Sequence, residues 1–123
     1  MESLTPHKRL ECWKKSFAFV KEMYQITSQF PSSETFGLTS QIRRAAVSIP
    51  VNIAEGSARN TKKEFANFLH ISLGSAAELD TLLLLAVDLN LLKKEKVDLL
   101  LDELSVISKL INGLIKSLRK SEQ

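Results

Sequence analysis

Cys12 is the only cysteine in this chain of 123 residues, so no intrachain disulfide staples it and nothing in it requires an oxidising compartment. Three prolines and four glycines are the only strong backbone breakers, too few for a disordered tail or a turn-rich β-sandwich. The longest uninterrupted apolar run, Leu82 to Val87, is closed by Asp88, far short of the ~20 residues that cross a bilayer. Met1 to Arg9 lacks the apolar stretch of a secretory signal. A soluble, cytoplasmic protein with no membrane partner is therefore expected.

Catalytic patterns are just as scarce. His7 and His70 are the only histidines, and neither has a second ligand at zinc spacing. A di-iron carboxylate site in a helical bundle needs Glu-x-x-His pairs, and the chain contains none. The glycines form no phosphate-cradling loop. Cys12, beside Trp13 and without an activating histidine, reads as a packed, inert thiol. With nucleophile, base and oxyanion donors all missing as a set, neither enzyme activity nor a metal or other cofactor is expected.

What the chain does have is apolar periodicity at helical spacing. Hydrophobic residues make up 44% of it, enough for one continuous core and a single domain over 1–123. Four segments, about 10–29, 39–55, 61–89 and 94–118, carry the pattern, and no segment alternates as a half-buried strand does. In the first, Trp13, Phe17, Val20 and Tyr24 step by four, three and four, and Pro31 stops the helix. The second opens near Thr39 as N-cap and ends where Gly56 offers a left-handed closure. Its dry face is Ile42, Ala46, Ile49 and Ile53. Pro50 falls inside it, removing a donor to the Ala46 carbonyl and crowding that oxygen, so a kink costing ~3 kcal/mol is expected there.

The third segment starts with the clearest local signal in the chain, the capping box Thr61-Lys62-Lys63-Glu64. It continues through Phe65, Leu69, Ser72, Ala76, Leu79, Leu83 and Ala86 at alternating four- and three-residue steps, and Asn90 can close it. The fourth repeats the pattern with Leu100, Leu104, Ile107, Ile111, Leu114 and Leu118. Short connections between such helices imply an all-α, antiparallel up-down-up-down four-helix bundle with its second helix kinked at Pro50.

Two features exceed what a bundle needs. Leu82, Leu83, Leu84 and Leu85 are consecutive and point around most of a helix, so Leu82, Leu84 and Leu85 are candidate oligomer contacts. Charge is also unevenly placed. The chain totals +3, yet residues 1–63 hold ten Lys and Arg against five Asp and Glu, while the remainder holds seven against nine. Arg43, Arg59, Lys62 and Lys63 are the candidate phosphate contacts within that basic excess, with a solvated charged face as the plainer reading. Arg44, Ser48, Asn52 and Glu55 form a polar stripe opposite the dry face. Folding residues 39–89 as an antiparallel hairpin brings Arg44 level with Glu78, and a structural polar network of Arg44, Asn52, Glu55 and Glu78 is expected.

LECWKKSFAFV, then FPSSETFGLTSQIRRAAVSIPVNIAEGSAR and KKEFANFLHISLGSAAELDT, resembles over about Leu10 to Leu92 the four-helix-bundle family of proteins encoded within intervening sequences of bacterial 23S ribosomal RNA genes, also labelled the S23 ribosomal family. QIRRAAVSIPVNIAEGSAR is its most specific part. The chain departs from the family in Phe36 where Tyr is frequent, Asn90 where Gly is usual, and Cys12 where an aliphatic is found. The resemblance implies a bundle that assembles into homopentameric rings. It also implies similarity to the accessory proteins of diversity-generating retroelements, which bind nucleic acid and a reverse transcriptase through basic surfaces. The expectation is a non-enzymatic oligomeric accessory protein whose partners are RNA or DNA and another protein. The alternative is a protein-interaction scaffold with no nucleic-acid affinity.

Overall fold

A computed structural model describes residues 6–122. Met1–Thr5 and Gln123, included in the expected single domain, lie outside the described residues. The order is a short 3₁₀ turn (Pro6–Arg9), α1 (Glu11–Thr27), a second 3₁₀ turn (Ser32–Glu34), α2 (Leu38–Ser57), α3 (Lys62–Asp88) and α4 (Lys94–Glu122). There is no strand among the described residues. The protein is an all-α four-helix bundle in which each helix packs on the next and α1 meets α4 over the smallest shared surface.

α1 buries a face turned by one residue from the expected one. Cys12, Ser16, Phe19, Met23 and Thr27 are inside, while Phe17 and Tyr24 are nearly half exposed and Trp13 and Val20 half-buried. Two apolar stripes compete on this helix, and the one carrying hydroxyls goes inward because those hydroxyls are satisfied locally. Thr27 Oγ1 donates to the Met23 carbonyl at 2.7 Å and Ser16 Oγ to the Trp13 carbonyl at 3.2 Å, which removes the usual penalty for burying them.

α2 starts one residue before its expected cap. Gly37 occupies the N-cap position without a side-chain bond, Glu34 Oε1 accepts from the Leu38 amide at 3.2 Å, and Thr39 is buried within the first turn. A carboxylate from the preceding 3₁₀ turn therefore does the capping that the Thr39 hydroxyl was expected to do. Ile42, Ala46, Ile49 and Ile53 form the dry face, and the helix continues through the buried Pro50 to Ser57.

Gly56 does not terminate α2 by a left-handed turn, since no described glycine has positive φ. It is a buried helical residue against which α3 closes: a Cβ there would lie 2.8 Å from Phe65 Cδ1 and from Phe68 Cβ. Ser48 and Ser75 share a 2.7 Å hydrogen bond, and Ser72 Oγ donates to the Ile49 carbonyl at 3.0 Å. Residue numbers rise along α2 as they fall along α3 in these contacts, so the two helices run antiparallel. Small residues along the seam, Ala45, Ala46, Gly56, Ser72 and Ala76, are all buried, and they let this pair pack most extensively of all.

Thr61 caps α3 as expected, accepting from the Glu64 amide at 3.1 Å. Its hydroxyl donates to Glu64 Oε1 at 3.0 Å, a tie between side chains in place of the full reciprocal box. Asn90 has φ 61°, and the Leu91 amide reaches the Ala86 carbonyl at 2.8 Å while the Asn90 amide reaches that of Val87 at 3.0 Å. These are the paired bonds of a Schellman closure with asparagine in the left-handed position. Over 18 residues α3 has a mean hydropathy of 1.4, enough by length and composition to cross a membrane. Within the bundle, Leu69, Ser72, Ala76, Leu79, Leu82, Leu83 and Ala86 place that apolarity in the core. α4 extends four residues past its expected end and buries Val97, Leu100, Leu104, Ile107, Ile111 and Ile115.

Candidate nucleic-acid interface

Lys62 and Lys63 occupy the first turn of α3, immediately after the Thr61 cap, and both are exposed. Together with Ala66, Asn67 and His70 one and two turns on, and with Leu118 and Arg119 from the last turns of α4, they line a hollow of about 280 Å³. No carboxylate lines it. Arg59, in the turn before α3, holds its guanidinium carbon 4.7 Å from the centre of the Phe68 ring, a stacked position that leaves the charge exposed.

Arg43 does not join this group. Its Nε donates to Thr27 Oγ1 at 2.8 Å, its Nη2 to the Tyr24 carbonyl at 3.4 Å, and its guanidinium lies 4.4 Å over the Tyr24 ring. A half-buried arginine so engaged is a clamp between α1 and α2, and about 20 Å of helix separates it from the turn that holds Arg59. Arg59 is not among the residues that line the hollow, whereas Arg119, a residue not singled out in the sequence, joins Lys62 and Lys63 there. Pairing positions equidistant from the α3–α4 turn, which sets Arg119 opposite Lys62, is the signal that would have found it.

The polar seam between α2 and α3 centres on Asn52, whose Nδ2 donates to the Ser48 carbonyl at 2.8 Å and to Ser48 Oγ at 2.9 Å. Ser48, Ser72 and Ser75 complete it. Arg44 and Glu78 line a common hollow of about 560 Å³ without an ion pair between them, and Glu55 is exposed. Neutral hydroxyls and an amide make the seam, because they satisfy one another at the close approach that the small residues permit.

Leu82 is only 6% exposed and belongs to the core, so it is no oligomer contact. Leu84 and Leu85, 51% and 44% exposed, face outward. Among the described residues no group of three or more His, Cys, Asp or Glu is placed to hold a metal ion. Cys12 is buried, and that burial pushes its thiol pKa up, away from a reactive thiolate. Among the described residues Glu22 is the one carboxylate whose pKa is clearly shifted, raised by burial and then by the neighbouring Glu103 carboxyl across α1 and α4. Its contribution to stability is present at acidic pH and lost as pH rises through that raised value.

The fold thus defines a helical bundle with Lys62, Lys63 and Arg119 gathered at one end. Residues 8–113 match the family model described as 23S rRNA-intervening sequence protein, and the chain belongs to that family. It is also similar to the crystal structure of a protein of unknown function from the S23 ribosomal protein family of Bacteroides thetaiotaomicron. That protein is 26% identical, with a TM-score of 0.76 over 85% of this chain and 98% of that one. Comparison with curated proteins gives no match.

Proposed function

We propose that this chain is a non-catalytic, cytoplasmic accessory protein that assembles into homo-oligomers, a pentameric ring by family resemblance, and binds nucleic-acid phosphates through Arg59, Lys62, Lys63 and Arg119. The observation that carries the reading is the pair of lysines in the first turn of α3. A helix N-terminus is the positive end of the macrodipole, where a cation costs ~0.3–1 kcal/mol. Two exposed lysines there oppose the dipole with Glu64 as the one acid of the turn, an anionic ligand would reverse that cost, and Arg119 adds a third charge from another helix. Leu84 and Leu85 at the surface support association, and each added copy repeats the basic end.

Replacing Lys62 and Lys63 by Glu tests the reading through two measurements of opposite expected sign. Affinity for duplex DNA and structured RNA should fall at least about tenfold at low salt, and the dependence of log affinity on log salt should flatten by about two contacts. The melting temperature should hold or rise, because acids suit that helix end. Absence of binding by the folded wild-type protein at low salt, or binding unchanged in the variant, would leave the scaffold reading in its place.

A further inference from the structure

The solvent side of α2 carries a second seam. Arg44, Val47, Val51 and Ala54 follow one another at steps of three, four and three, the spacing by which one helix packs on another. None of the four is buried in the protomer, and Phe36, at the start of the same face, is 98% exposed. Arg44 makes no hydrogen bond or ion pair among the described residues. α4 carries a seam of the same kind on the side that faces α1: Leu99, Glu103, Val106 and Leu110 step by four, three and four, with Leu99 65% exposed. The α1–α4 contact is the least extensive in the bundle, and a hollow of about 260 Å³ remains between the two helices. Glu22 and Glu103 meet at this hollow, which Lys15, Phe19 and Ile107 also line, and Lys96 lies close enough to Glu22 to favour its charged form in part.

We infer that the α2 seam of one copy docks along the α1–α4 groove of a second copy, with Arg44 entering between Glu22 and Glu103. The proposal rests on the association put forward above and names one pair of surfaces for it, apart from Leu84 and Leu85 on α3. Charge complementarity selects a second copy as the occupant: an unpartnered arginine lies within one apolar seam, and within the other two carboxyls crowd each other, the Glu22 pKa remaining raised although Lys15 shares the hollow and Lys96 is near. The crowding at Glu22 is of the kind an added cation relieves. Because the two surfaces differ, the contact is head-to-tail, and head-to-tail contacts close into rings when the rotation between copies allows.

Charge reversal and its rescue test the pairing. Arg44→Glu and Glu103→Arg are exposed substitutions on helices that remain packed through their other faces, and circular dichroism establishes that each variant is folded. By light scattering the wild-type protein should exceed the 13.8 kDa chain mass several-fold, each single variant should fall toward that mass, and the double variant should recover the assembly. An oligomer unaffected by both single changes overturns these surfaces while leaving association intact. Dissociation in the single variants without recovery in the double overturns the Arg44 pairing, and a monomeric wild-type protein removes the association and this contact together.

Discussion

Gly56→Ala should lower the melting temperature of the protein, although alanine is the better helix former. The new Cβ would meet Phe65 Cδ1 and Phe68 Cβ at 2.8 Å and the Phe65 carbonyl oxygen at 3.2 Å. The Phe65 ring can swing, but Phe68 Cβ and the Phe65 carbonyl move only with the α3 backbone, so α3 itself must shift outward. Overpacking of this kind costs ~1–3 kcal/mol, more than the ~0.5–1 kcal/mol that alanine gains over glycine in a helix. Gly74 is also helical, and a Cβ added there would have nothing within 4 Å, so Gly74→Ala should raise the melting temperature by a few degrees. Thermal denaturation followed by circular dichroism compares the two. Equal shifts in both variants would show that α2 and α3 do not meet at Gly56.

Within the run of four leucines, Leu83→Ala should cost ~2–5 kcal/mol and Leu84→Ala no more than about 0.5 kcal/mol. Leu83 is fully buried and its removal leaves a cavity in the core, whereas Leu84 is half in water already. Denaturant unfolding at one protein concentration measures both changes. A large loss at Leu84 with the oligomer mass preserved would contradict the burial, and a change of mass at Leu84 without loss of fold would assign it to association.

Elements whose determinants are local were legible in the sequence. Thr61 followed by Glu64 marks the start of α3 because the cap bond spans three residues, and Asn90 marks its end because asparagine tolerates positive φ. The dry face of α2 was legible for the same kind of reason, since Ile42, Ala46, Ile49 and Ile53 carry three isoleucines on one stripe while the row through Val47 and Val51 is interrupted by charge at Arg44. α1 was not, because its two stripes differ by a single step and periodicity alone favours the one richer in aromatics. Glu34 capping α2 in place of Thr39 also escaped, since a cap supplied from a preceding 3₁₀ turn follows no fixed spacing.

The basic end shows the same division. Lys62 and Lys63 are adjacent in the chain, and their sharing a surface needed no fold. Arg43 looked equivalent to them in sequence, yet α1 passes beside it and offers a hydroxyl, a carbonyl and an aromatic face, so it became a clamp. Arg119 looked remote and was brought opposite Lys62 by the return of α4. The amino-acid sequence by itself determined the four helices, their order and the family, because backbone hydrogen bonds, caps and apolar spacing act over three or four residues. Only the tertiary structure decided which stripe of α1 is dry, why position 56 is glycine, and which cations share a surface, because those outcomes depend on what a neighbouring helix places within a few ångströms.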